Sequence, residues 1–253
     1  MKAFIAFTKK EFTESVRTYR LPIMAAVFLL LGMMSPALAK YTPEILAAFP
    51  SEFTIEIPTP TALDSWTQFV SNVGQMGLLA LAIVYGGITA GDISRGTIVN
   101  MLTKGLKRSA AILSKLTAAA AVWTVCYLLS YSVCFAYTAY FWSDGNMSNV
   151  FLTFFSLWLY GVLLIVFAIL GGALFSKTYG SLLFLGGAVV ALSLLNIIPP
   201  VRRYNPVSLA GGNLSLLSGA KTAADFIPAV TVCAALIVVL TAVSIVVFNR
   251  KRL

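Results

Sequence analysis

The sequence predicts an all-α integral membrane protein with six transmembrane helices behind an N-terminal interfacial helix. Three observations predict this class. The 253-residue chain is 59% hydrophobic and 11% charged, with a mean hydropathy of +0.89. Six long runs contain no Asp, Glu, Lys or Arg: 19 residues between Arg20 and Lys40, 27 between Asp64 and Asp92, 28 between Lys115 and Asp144, 32 between Asp144 and Lys177, and 24 each between Lys177 and Arg202 and between Asp225 and Arg250. Crossing roughly 30 Å of hydrocarbon takes about 20 apolar residues. A soluble core helix of that length would keep a polar face, which these runs lack. The basic residues, finally, fall unevenly. With six spans both termini share a side, and that side carries fourteen of the eighteen Lys and Arg residues. Such residues are retained in the cytoplasm during insertion, so both termini are expected there.

The elements follow in order. In residues 1–20, Phe4, Ile5, Phe12, Val16 and Tyr19 share an arc at 100° per residue, opposite Lys9, Lys10, Arg17 and Arg20. That pattern predicts an interfacial elbow helix with its basic side toward lipid phosphates. The first span, near 21–39, follows a charged segment too long for a signal-peptide n-region, so it is expected to stay as an anchor. Residues 40–66 hold Pro43, Pro50, Pro58 and Pro60 among acidic residues and are expected to be extended, with at most short helices. The second span covers 67–90. The third and fourth, near 116–142 and 150–175, are joined by a tight turn at Asp144-Gly145-Asn146. The fifth covers 181–199 and the sixth 228–248. Between them, 199–228 is semi-apolar, with Leu209, Leu214, Leu216 and Leu217. It reads as an outer re-entrant or gate segment.

Small residues mark close helix approaches: Ala82, Gly86, Gly87 and Gly91 on the second span, Gly171 and Gly172 on the fourth, and Gly180, Gly186 and Gly187 on the fifth. Polar atoms within the spans come from neutral groups such as Gln68, Asn72, Gln75 and Asn196. These either line a path or bond across a helix interface. Cys126, Cys134 and Cys233 all fall within spans and imply no disulfide.

Several chemistries are excluded. The chain has no histidine, which removes zinc-protease motifs, His-based triads and imidazole relays. It has no phosphate-binding Gly-x-x-x-x-Gly-Lys-Ser/Thr loop; the nearest string, Gly219-Ala220-Lys221-Thr222, lacks the spacing. The chain therefore cannot hydrolyse ATP by itself. None of the predicted spans contains Asp, Glu, Lys or Arg, so they offer no charged transport relay. The net charge of +9 reads as a topology and headgroup signal, without nucleic-acid binding.

The charged segment 91–115 is the most specific stretch. Gly96 and Gly105 bracket Thr97 to Lys104, where Ile98, Met101 and Leu102 share one face. The prediction is a short surface helix with an apolar ridge and a basic exit at Lys104, Lys107 and Arg108, its ridge suited to a groove on a cytoplasmic protein.

The strings Gln68-Phe69-Val70-Ser71-Asn72-Val73-Gly74-Gln75-Met76-Gly77, Gly91-Asp92-Ile93-Ser94-Arg95-Gly96-Thr97, Leu102-Thr103-Lys104 and Arg108 to Lys115 resemble the permease subunits of bacterial ABC-2 type exporters. The likeness extends to Lys10-Glu11-Phe12 and Asn205-Pro206, nearly the whole chain. Two departures stand out: Asp92 where the family more often has Glu, and Gly105-Leu106-Lys107 in place of a proline-led turn. The resemblance implies a type V exporter-like transmembrane domain in the bacterial cytoplasmic membrane. It implies a second permease subunit, identical or different, and a separate cytoplasmic ABC ATPase that binds ATP and Mg, with no cofactor in this chain. Asp92, Arg95, Gly96, Thr97, Ile98, Met101, Leu102, Lys104 and Arg108 would couple to that ATPase. The second and fifth spans would form the path, with Asn72, Gln75 and Asn196 along it, for an amphipathic or hydrophobic cargo such as a peptide or lipid-like molecule. A stand-alone channel or facilitator, and a non-transporting immunity or sensory subunit on the same fold, are the alternatives.

Overall fold

The computed structural model describes residues 2–47, 59–103, 105–142 and 149–251. The described elements are helical throughout, and six helices are long and apolar enough to cross a membrane. The interfacial helix α1 (Lys2–Arg17) leads into the first spanning helix, α2 (Arg20–Ala47). The second span is built in pieces: α3 (Ala62–Asn72), a π-helical turn (Val73–Gly77), α4 (Leu78–Tyr85) and α5 (Ile88–Ser94). The short α6 (Thr97–Thr103) links it to the third span, α7 (Arg108–Phe141). The fourth and fifth spans are α8 (Val150–Phe175) and α9 (Thr178–Leu195). Three short helices, α10 (Pro199–Arg202), α11 (Ser208–Gly211) and α12 (Asn213–Leu217), lead to the sixth span, α13 (Ala223–Arg250).

Several helix boundaries differ from expectation. Residues 40–47, expected as extended chain, continue α2 through Pro36 and Pro43. Proline is tolerated in spanning helices where packed neighbours cover the backbone it frees, and α2 packs along α7 and α3. The second span starts earlier, at Ala62, because Thr61 and Asp64 close a capping box in which Asp64 Oδ2 accepts from the Thr61 amide at 2.8 Å and hydroxyl at 2.7 Å. The expected turn at Asp144 lies outside the described residues, as does the middle of the 40–66 connection.

Helix α8 is the centre of the molecule. Nearly every side chain from Ser156 to Ala173 is buried, and α13, α9, α7 and α5 pack around it. An aromatic column locks α7 to α8: the ring centroids of Trp123 and Tyr127 lie 5.0 Å apart, and those of Tyr127 and Phe154 4.6 Å apart, with the rings of each pair nearly parallel. The Trp123 indole donates to the Trp158 carbonyl at 3.0 Å, so its buried polar atom is paired, as an apolar core requires.

Glycine sets the closest crossings. A Cβ at Gly161 would meet the Trp123 ring at 2.5 Å, and one at Gly172 would meet the Ala90 amide nitrogen at 2.7 Å. Gly86 and Gly87 accept Leu182 and Thr178 of the fifth span. Gly186 and Gly187, also expected at an interface, have no atom within 4 Å; their face of α9 is open. That face also exposes Tyr179, Leu183, Val190 and Leu194, which suits contact with lipid or another subunit.

The 199–228 stretch packs on α8 and α3. Leu209, Leu216 and Leu217 are buried, whereas Leu214 is half exposed at the edge of a cleft.

Candidate functional site

On the side of the membrane that carries both termini, α6 sits between the ends of the second and third spans. Gly96 (φ +69°) precedes it and Gly105 (φ +89°) follows it. Left-handed backbone of this kind strongly favours glycine. The Leu106 amide donates to the Met101 carbonyl at 3.2 Å and the Gly105 amide to the Leu102 carbonyl at 3.0 Å, a Schellman stop. The expected helix from Thr97 to Lys104 thus appears as Thr97–Thr103, and Lys104 itself lies outside the described residues. The Thr97 hydroxyl donates to the Asp92 carbonyl at 3.1 Å, tying α6 to the end of α5.

The apolar ridge faces inward. Ile98 is buried in the core, and Met101 and Leu102 are half-buried against it. Met101, Gly105 and Leu106 border a groove whose other wall is Ala3, Ala6, Phe7 and Lys10 of α1. The side of α6 left open carries Asn100 and Thr103, flanked by Thr97 and, beyond the helix, by Arg95 and Lys107. A partner approaching this segment therefore meets a polar face with basic edges.

Beneath α6 lies a buried charge cluster that joins three elements. Lys115, on the first turns of α7, has no solvent exposure, and Glu11 of α1 and Asp92 of α5 are 2% and 5% exposed. The Lys115 ammonium donates to both Glu11 carboxylate oxygens at 3.0 Å and to Asp92 Oδ2. Lys10 adds the second cation, 3.1 Å from Glu11 Oε1 and 2.5 Å from Glu14 Oε2. Burial opposes the Lys10 charge, but the hydrogen bond with Glu14 and the Glu11 charge outweigh it and hold its pKa above the ordinary lysine value. The Phe7 ring closes the cluster, with its centroid 5.2 Å from Lys10 Nζ and 5.9 Å from Lys115 Nζ. Three carboxylates, those of Glu11, Glu14 and Asp92, thus face two ammonium groups, and the buried charges are paired as low dielectric demands.

This arrangement corrects three expectations. The spans do carry charge, because the second runs on to Ser94 and the third starts at Arg108, so both Asp92 and Lys115 lie within them. Asp92 is held by the chain's own Lys115. Helix α1 has three faces: Phe7, Glu11 and Ser15 pack inward, Ile5, Phe12 and Val16 are exposed, and Lys9 and Arg17 project on a third side. The inward face escaped the sequence pattern because a buried glutamate sits in its middle.

Arg108 is also engaged internally. Its Nη1 donates to the carbonyls of Phe248 at 2.7 Å, Asn249 at 3.1 Å and Lys251 at 2.7 Å. A cation there satisfies the free carbonyls at the end of α13. Lys251 in turn donates to the Ala173 and Leu174 carbonyls at the end of α8. The ends of the fourth and sixth spans are in this way tied to the start of the third.

The polar residues expected along a path separate. The Asn72 amide donates to Ser35 Oγ at 3.1 Å, bonding the second span to the first. Gln75 is exposed on the π-helical turn and borders a cleft of about 300 Å³ against Ala210, Gly211 and Leu214. Asn196 caps the end of α9, and its buried Oδ1 has no partner among the described residues. The structure brings none of the three together.

Six spans, an interfacial helix and a short surface helix seated on a buried ion cluster define a polytopic membrane protein. A sequence model of the ABC-2 family transporter proteins matches residues 5–253, and the chain belongs to that family. It is also similar to the "Uncharacterized transmembrane protein YxlG" of Bacillus subtilis (strain 168), 21% identical over 216 residues and covering 83% of each chain. The family places the chain as a membrane permease, a transport subunit that is not itself catalytic.

Proposed function

We propose that this chain is the membrane-spanning subunit of an ATP-driven exporter in a bacterial cytoplasmic membrane, with both termini and α6 in the cytoplasm. A separate ABC ATPase binds ATP and Mg, and a second permease subunit completes the membrane core. The observation that carries this reading is the Glu11–Lys115–Asp92 cluster. It joins the interfacial helix, the end of the second span and the start of the third directly beneath α6, so a push on α6 moves all three together. Closure of the ATPases against the face around Asn100 and Thr103 then shifts the second span against the fifth, which approaches it through Leu182 at Gly86 and Thr178 at Gly87. The broken second span, with its π-helical turn at Val73–Gly77, supplies a place where that motion can bend the helix. The apolar lining of the cleft beside Gln75 favours an amphipathic or hydrophobic cargo.

Tagged protein purified in mild detergent is expected to carry an ABC ATPase subunit, and the complex to turn over ATP. Asp92→Ala leaves Lys115 paired with Glu11 but cuts the link to the second span. It is expected to lower ATP-driven transport by tenfold or more while insertion and gel-filtration behaviour stay unchanged. Unaltered transport, or purification without any ABC ATPase, would refute the coupling role.

A further inference from the structure

On the opposite side of the membrane, basic residues are scarce: Lys40, Arg202, Arg203 and Lys221 account for all that the topology leaves there. Three of these four converge on one pocket of about 300 Å³ between the end of the fifth span and the start of the sixth, walled by Pro199 and Phe226. Insertion favours removal of Lys and Arg from this side, so their convergence calls for a counter-charge. Among the described residues none of the three lies within ion-pair distance of a carboxylate. Asp225 borders the pocket, but its Oδ2 is committed to the cap of α13, accepting from the Thr222 amide at 3.0 Å and hydroxyl at 2.9 Å. The pocket thus keeps a net positive charge after its own acid is counted.

The segment carrying the arginines is fixed in place. Pro199 and Pro200 open α10, where a preset φ suits the first helical turn. Asn205, 3% exposed, donates to the Leu192 carbonyl at 2.6 Å and accepts from the Val207 amide at 3.0 Å. A positively charged hollow held this way, at the level where spans leave the bilayer, matches a phosphate group: planar guanidinium forks and an ammonium supply the donors, and preorganisation lowers the cost of binding.

We propose that Arg202, Arg203 and Lys221 form a phosphate-binding site on the membrane face opposite the termini, for an anionic lipid headgroup or a soluble phosphate. The site requires no ATPase, and its test uses none. The protein is reconstituted in vesicles of phosphatidylcholine with phosphatidylglycerol, extracted, and its retained lipids are counted by native mass spectrometry. Wild type is expected to hold one more phosphatidylglycerol than the Arg202→Gln, Arg203→Gln, Lys221→Gln variant, with equal phosphatidylcholine. Arg202→Lys with Arg203→Lys keeps the charge but loses the planar forks, and is expected to retain the lipid more weakly than wild type and more strongly than the glutamine variant. Inorganic phosphate added to wild type then separates the sources: displacement of the extra lipid assigns the site to phosphate in general, and persistence assigns it to the headgroup. Lys221→Gln alone, at a half-buried position that anchors no helix, is expected to weaken retention by about tenfold. Equal phosphatidylglycerol on wild type and on these glutamine variants would overturn the proposal.

Discussion

Lys115→Met is expected to destabilise the protein by about 3–5 kcal/mol, because it leaves Glu11 and Asp92 as buried carboxylates facing each other without their shared cation. The variant must protonate one acid or part α1 from α5 and α7. Lys10→Met provides the comparison. Lys10 is one-third exposed, its pairs are screened by water, and its loss is expected to cost at most about 1 kcal/mol. Thermal unfolding of both variants in detergent measures the difference. Equal midpoints for the two would show that the buried cluster does not hold the three elements together. Lys115→Arg tests geometry at constant charge, since a guanidinium is longer and planar and fits poorly where three carboxylate oxygens surround one ammonium.

Gly172→Val is expected to produce the second large loss, about 1–3 kcal/mol or more, by overpacking the crossing of the fourth and second spans. Its Cβ would stand 2.7 Å from the Ala90 amide nitrogen and 2.8 Å from Thr89 Cβ. The nearer atom is backbone, so relief requires the second span itself to move, close to Asp92. Gly187→Val is the matched control. Nothing lies within 4 Å of its Cβ position, and the change is expected to stay within about 0.5 kcal/mol. Its lipid-exposed or subunit-facing position would then show only in assembly. A Gly172→Val protein with wild-type stability would mean that the two spans are less closely packed than described.

Much of this fold was legible because hydrocarbon imposes a simple rule on sequence. Every charge-free run became a spanning helix, and Gly96 and Gly105 marked the ends of α6 through the backbone they alone adopt easily. Boundaries were harder. Pro43 read as part of an extended connection but sits inside α2, as Pro36 does, where the helix packs against the bundle. Composition also could not say which glycines face a neighbour: Gly172 does and Gly187 does not, and only the tertiary crossing decides.

The site was legible in part. Glu11, Asp92 and Lys115 lie far apart in the chain, and nothing in their local patterns shows that they meet. Glu11 and Lys115 entered only through the family likeness, Asp92 as an expected partner contact. The ridge of Ile98, Met101 and Leu102 was visible as a periodicity, but periodicity does not tell an apolar face turned toward a partner from one turned toward the chain's own core. The same holds for Arg108, whose basic character fits a surface contact but whose Nη1 is taken up by the end of α13. The polar residues Asn100 and Thr103, unremarkable in sequence, are what α6 presents outward.

In the proposed exporter, α6 is the surface through which an ATPase drives the spans. A photocrosslinking amino acid placed at Asn100 or Thr103 probes that contact, with Ser218 on the opposite membrane face as control. A crosslinked product with an ABC ATPase subunit, identified by mass spectrometry, is expected from the two α6 positions alone, with a yield that changes when ATP is added. No ATPase product from Asn100 or Thr103, or an equal product from Ser218, would contradict this role.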